Sequence, residues 1–176
     1  MAKQALIVVD IQNDYFPQGK WPLVGADAAA DNAARLIQAF REAGDSVVHI
    51  RHEFTSEEAP FFTPNSDSAK LHPKVLNRDN EPVVLKHFVN SFRETELKSI
   101  LDEQGIKELV VVGSMSHMCV DGITRAADSG AESTVSDSGS PSTAPTSCGR
   151  SGSDPGVVLL MIALLPGALA PAMGSL

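Results

Sequence analysis

The run of residues 5–9, Ala-Leu-Ile-Val-Val, constrains this chain more than any other feature, because it is apolar without interruption and ends in Asp10. A strand with one wet face alternates apolar and polar residues. A strand without alternation is covered on both faces, as in a parallel sheet. Residues 46–51, 82–88 and 109–113 are three further strand candidates. Helical patterns lie between them. Asp27 is placed to cap a helix whose apolar stripe is Ala29, Ala33, Leu36, Ile37 and Phe40, closed by Gly44. Ser91 and Glu94 have capping-box spacing ahead of Leu97, Ile100 and Leu101, and Gly105 closes that segment. Strands alternating with helices imply right-handed crossovers, hence an α/β fold with a parallel sheet and helices on both faces.

Polar groups collect where such a sheet places its sites. Open α/β sheets bind ligands outside the carboxyl ends of their strands. Asp10, Lys86 and Cys119 fall at or just past the ends of the first, third and fourth strands. Taken singly, Asp10 also reads as a turn cap, Lys86 as a lysine snorkelling to water, and Cys119 as a small buried hydrophobe. Taken together they form a chemically sensible set. A thiolate is a nucleophile, a nearby ammonium lowers its pKa, and a carboxylate can take the thiol proton and return it to a leaving group. Residues 110–120 read as a strand, a turn of small residues and the start of a helix, so backbone N–H groups near Cys119 are available to an oxyanion.

Several function classes are set aside by composition. The net charge of −8 disfavours a nucleic-acid partner. The two cysteines, Cys119 and Cys148, form no CxxC pair. Lys3 is followed at once by a strand rather than by a secretory signal, so the expected setting is reducing and cytoplasmic. The loops 11–25 and 52–80 are rich in Pro and aromatic residues and are expected to shape a pocket or an interface. Phe16, Trp21, Phe88 and His117 are candidate pocket residues, with plain packing as the alternative for the three aromatics and a solvent-facing side chain for His117.

Three groups of residues carry a resemblance to a known family. They are Leu6-Ile7-Val8-Val9-Asp10-Ile11-Gln12-Asn13-Asp14; Val84-Leu85-Lys86 with Asn90-Ser91-Phe92 and Thr95-Glu96-Leu97; and Gly113-Ser114-Met115-Ser116-His117-Met118-Cys119-Val120 with Thr124-Arg125. Leu71-His72-Pro73 adds a recurrent loop element. These residues resemble the isochorismatase-like cysteine hydrolases, which include nicotinamidases and N-carbamoylsarcosine amidohydrolases. The resemblance implies a three-layer αβα sandwich with a mainly parallel, Rossmann-like sheet. It implies a catalytic triad of Asp10, Lys86 and Cys119, and a cis peptide between Ser114 and Met115. It also implies an oxyanion hole from the N–H groups of Met115 and Cys119. The implied chemistry is hydrolysis of an amide or carbamoyl C–N bond of a small molecule through a thioester, without a cofactor, in a homodimer or larger oligomer. An ether- or ester-cleaving hydrolase and a non-catalytic binding protein of the same fold are the alternatives. Nicotinamidases hold a metal with an Asp-x-His element; the corresponding place here reads Arg51-His52-Glu53-Phe54, so no metal is carried over. His49, His52 and His72 could still bind a metal, but scattered histidines are more often structural or surface residues.

The last quarter fits this pattern poorly. Residues 131–136 stand where a fifth strand belongs but are weak strand formers, and 138–156 is almost wholly Ser, Gly, Pro, Thr and Ala. The apolar run 157–165 is too short and too close to Pro166 to span a membrane. The expectation is one domain over 1–176, continuing to a last helix and strand, with the register of 138–176 in doubt. Cys148 is incidental.

Overall fold

The computed structural model describes residues 3–128 and 159–161. Five strands form one sheet: β1 (Gln4–Val9), β2 (Ser46–His52), β3 (Val83–Lys86), β4 (Glu108–Gly113) and β5 (Leu159–Met161). Their order is β3-β2-β1-β4-β5, and every pairing is parallel. The chain moves outward from β1 through β2 to β3, then crosses back to place β4 on the other side of β1. The strand order therefore reverses between β1 and β4, which is the switch point where a parallel sheet opens a crevice at its carboxyl edge.

β1, β2 and β4 each contribute to two cores because successive side chains point to opposite faces. Leu6 and Val8 pack with Ala30, Ala33, Ile37 and Phe40 of α1 (Ala26–Ala43). Ala5, Ile7 and Val9 face Leu97 and Leu101 of α2 (Leu97–Glu103) and Ile123 and Ala127 of α3 (Asp121–Asp128). Among the described residues one helix covers one face and two cover the other, giving the three-layer α/β arrangement.

Two helix starts differ from expectation. α1 begins at Ala26 behind Gly25, whose φ is +81°, so Asp27 lies inside the first turn instead of capping it. There the carboxylate faces the positive end of the helix dipole and meets Lys74 Nζ at 3.3 Å. The Ser91–Glu94 capping box does not form. Ser91 accepts a hydrogen bond from Thr95 Oγ1 at its carbonyl, 2.6 Å, while Asn90 Oδ1 accepts from Phe92 N–H. These local turns compete with helix, and α2 starts only at Leu97. The expected fifth strand at 131–136 and the last helix lie outside the described residues. β5, taken from the apolar run 157–165, pairs with β4 through Leu109, Val110 and Val111.

Candidate active site

Asp10 directly follows β1 in the left-handed region, φ +51°, an uncommon conformation for a residue with a Cβ. Its N–H donates to the Ile50 carbonyl of β2 at 3.1 Å, which ties the turn to the neighbouring strand. Lys86 is the last residue of β3, and its register partner on β2 is His52. Cys119 lies beyond β4 in a single π-helical turn, Ser116–Val120, that leads into α3. Gly113, opposite Val9, closes β4. A Cβ on Gly113 would stand 2.1 Å from the Val9 carbonyl oxygen, so only glycine lets the chain turn away from β1 here. The Ser114–Met115 peptide is cis, as the resemblance implies.

The three expected residues meet at this edge. Asp10 and Lys86 are fully buried, and Lys86 Nζ lies 2.8 Å from Asp10 Oδ2. Lys86 does not snorkel. An oxygen of Asp10, a ring nitrogen of His52 and the Cys119 sulfur all lie within 4.8 Å of one another. Asp10 Oδ1 is buried without a hydrogen-bond partner among the described residues.

The electrostatics correct one expectation. Burial alone would lower the pKa of the Lys86 ammonium, but Asp10 and Cys119 outweigh burial and raise it. Lys86 is therefore a fixed positive charge. The Cys119 thiol is not lowered. Burial pushes it up to about 12, Asp10 adds to the rise, and Lys86 opposes it without prevailing. At neutral pH this favours the protonated thiol over the thiolate.

The backbone around the thiol is partly spoken for. Met118 and Val120 N–H groups donate to the Met115 carbonyl, at 3.1 and 3.3 Å, which leaves the intervening Cys119 N–H off that carbonyl. The Met115 N–H donates to no acceptor among the described residues.

The expected pocket residues scatter. Phe16 is buried in the α1-side core and stacks on His72 with centroids 3.6 Å apart, the packing alternative of the two. Trp21 is 47% exposed at the rim of an aromatic cluster, 5.1 Å from Phe61. That cluster continues through Phe62, Tyr15 and Phe54 to His52. Phe88 is half-buried beneath the Arg93 guanidinium, 3.8 Å above its ring. The side chain of His117 lies outside the described residues. A cavity of ≈ 220 Å³, lined by Arg41, Ser46, Glu81 and Gln104 among others, lies at the amino ends of β2 and β3, away from Cys119.

Of the three histidines, His49 pairs with Glu81 at 3.2 Å, and His72 is half-buried on Phe16. Only His52 joins the site. Asp10, His52 and Cys119 are the one potential metal-ligand trio among the described residues. The Lys86 ammonium, 2.8 Å from Asp10 and 3.2 Å from His52 Nδ1, already supplies the positive charge there. The trio is therefore a poor fit for a further cation. Sequence reasoning misses His52 and Tyr15 as site residues. His52 ends β2 at the edge shared by Asp10 and Lys86, and that register position is the signal for it. Tyr15 sits near enough for Asp10 and Cys119 to reinforce the raised pKa that burial imposes on its phenol.

The isochorismatase domain model matches residues 4–146. The chain belongs to the isochorismatase family. It is 48% identical over 123 residues to YddQ, an uncharacterised isochorismatase family protein of Bacillus subtilis, covering 70% of this chain and 68% of that one. A solved structure from Oleispira antarctica, described as an isochorismatase hydrolase, superposes with a TM-score of 0.70 at 55% identity, covering 72% and 68% of the two chains. Escherichia coli nicotinamidase is 27% identical over 157 residues, covering 68% of this chain and 74% of that one. The family is hydrolytic, and a nicotinamidase among the relatives shows that amide-cleaving members exist.

Proposed function

We propose that this member hydrolyses a C–N bond of a small amide or carbamoyl compound, with Cys119 as nucleophile, Asp10 as general base and acid, and Lys86 as the fixed charge between them. One observation carries the reading: a buried thiol, a buried carboxylate with an unpartnered oxygen, and a buried ammonium share one sheet edge at the switch point. A buried lysine–aspartate pair is costly to desolvate and is poor evidence of a purely structural role. Clusters of buried ionisable groups with shifted pKa values concentrate at functional sites.

The chemistry follows from the charges. Cys119 sulfur attacks the carbonyl carbon while its proton passes to Asp10, so free thiolate need not accumulate. The N–H groups of Met115 and Cys119 receive the oxyanion in this reading, which their lack of a backbone acceptor among the described residues supports. Asp10 then gives the proton to the departing nitrogen, the C–N bond breaks, and ammonia or an amine leaves behind a thioester. In the second half a water loses a proton to Asp10, attacks the thioester carbon, and Asp10 returns the proton to sulfur. The sum is amide plus water giving acid plus amine. Lys86 stays protonated throughout and holds the Asp10 carboxyl group in place.

A panel of small primary amides, ureido acids and carbamoyl compounds, assayed for ammonia release, tests this reading. At least one class should be turned over, with Cys119→Ser reducing the rate by about 10³-fold or more. Ammonia release by Cys119→Ser equal to that of the unaltered protein would refute it. Cleavage of vinyl ethers or esters with no amide turned over would move the reading to another bond.

A further inference from the structure

His52 is held more firmly than a core histidine requires. The Gln12 amide clamps its backbone from both sides: Oε1 accepts the His52 N–H at 2.8 Å and Nε2 donates to the His52 carbonyl at 2.8 Å. Gln12 is itself fully buried and also donates to the Ala69 carbonyl. The imidazole lies edge-on to Phe54 at 4.8 Å and near Phe62 at 5.8 Å. Its Nδ1 is 3.2 Å from Lys86 Nζ. An ammonium has only hydrogens to offer, so Nδ1 must be the acceptor, and the neutral ring carries its proton on Nε2. Nε2 is buried without a partner among the described residues.

We propose that His52 is a positioning residue of the site: its neutral Nδ1 takes one Lys86 hydrogen and so aims the ammonium at Asp10 and Cys119. Lys86 has three hydrogens. Asp10 Oδ2 lies at 2.8 Å, His52 Nδ1 at 3.2 Å, and the carbonyls of Phe88 and Val89 at 3.3 and 3.5 Å. Without His52 the ammonium loses one acceptor and is left with Asp10 and two backbone carbonyls to share its hydrogens. The groups that act on the ring's charge come from separate elements: Lys86 and His87 oppose protonation, Asp10 favours it, and burial outweighs them all, holding His52 neutral. The role rests on the proposed catalytic set but is read on separate observables.

His52→Leu removes the acceptor, and His52→Asn restores an amide oxygen near the Nδ1 position. In His52→Leu, iodoacetamide should alkylate Cys119 about tenfold more slowly or worse, with the pH profile displaced upward. In turnover, kcat should fall with little change in KM. His52→Asn should recover most of both. An unchanged alkylation profile in His52→Leu would overturn the proposal, as would His52→Asn being as slow as His52→Leu, which would assign the effect to ring packing. Imidazole ¹⁵N shifts of the unaltered protein decide the matter even if a variant does not fold. They should show an Nε2–H tautomer with no titration between pH 5.5 and 9. An Nδ1–H tautomer, or titration near the ordinary histidine value, contradicts it. Failure of the catalytic reading would look different, since Cys119→Ser would then retain turnover while the His52 tautomer stood.

Discussion

At the scale of single residues, Asp10 pulls on Cys119 in two directions. Its charge raises the thiol pKa, yet it is the group that takes the proton. Asp10→Asn should therefore make the thiol more acidic, because Lys86 then acts unopposed by the carboxylate. The same change should cut amide turnover by about 10²- to 10⁴-fold through loss of the base. The pH dependence of Cys119 alkylation and of turnover, measured on one preparation, checks both. A thiol pKa that rises in Asp10→Asn would show that the carboxylate is not its neighbour. Lys86 gives a complementary result. Lys86→Met leaves Asp10 buried and unpaired, which costs about 3–5 kcal/mol. Lys86→Met with Asp10→Asn should unfold at higher urea than Lys86→Met alone. A double variant no more stable than the single would mean that the buried charge is not what destabilises it.

At the scale of elements, the strands are legible because they are apolar without alternation, and the pattern of residues alone puts Asp10, Lys86 and Cys119 at their carboxyl ends. The helix starts are less legible. Ser91 and Glu94 have the spacing of a capping box, but Asn90 and Thr95 make tighter local turns, and one sequence does not show which hydrogen bond prevails. His52 escapes notice because the sequence pattern ends the second strand at Arg51; one residue more places its ring against Lys86. Phe16 reads as a pocket candidate because aromatic loops line pockets, but its stacking on His72 depends on a contact 56 residues away in sequence (72 − 16), which no local pattern encodes. The thiol pKa eludes the sequence for a related reason: burial, which no string of residues displays, outweighs the ammonium. The junction between β4 and the π-helical turn gives its own prediction. Gly113→Ala forces a methyl group against the Val9 carbonyl and should cost about 1–3 kcal/mol or more by urea denaturation. It should also lower turnover by displacing the turn that carries Cys119. Unaltered stability would mean that β1 and β4 are not held at this separation.

For the molecule as a whole, the buried histidine links the site to acid stability. His52 falls from the ordinary 6.5 to about 4, with burial as the main cause and Lys86 next. The unfolded chain takes up that proton below about 6.5 while the folded protein refuses it until about 4. Stability is thus fully present above pH 6.5 and falls as the pH drops toward 4, by roughly 3 kcal/mol from this group. His49, also lowered by burial, acts in the same sense. Urea midpoints between pH 7 and 5 should fall in the unaltered protein and fall less in His52→Leu; equal slopes would mean that His52 does not drive the loss. That Cys119 carries the acyl group is tested most directly by intact-protein mass spectrometry on acid-quenched turnover of an amide found in the panel. The expected result is an added mass equal to substrate minus ammonia or amine, mapped to Cys119 and released by hydroxylamine. Turnover with no adduct on Cys119, and undiminished in Cys119→Ser, would contradict it.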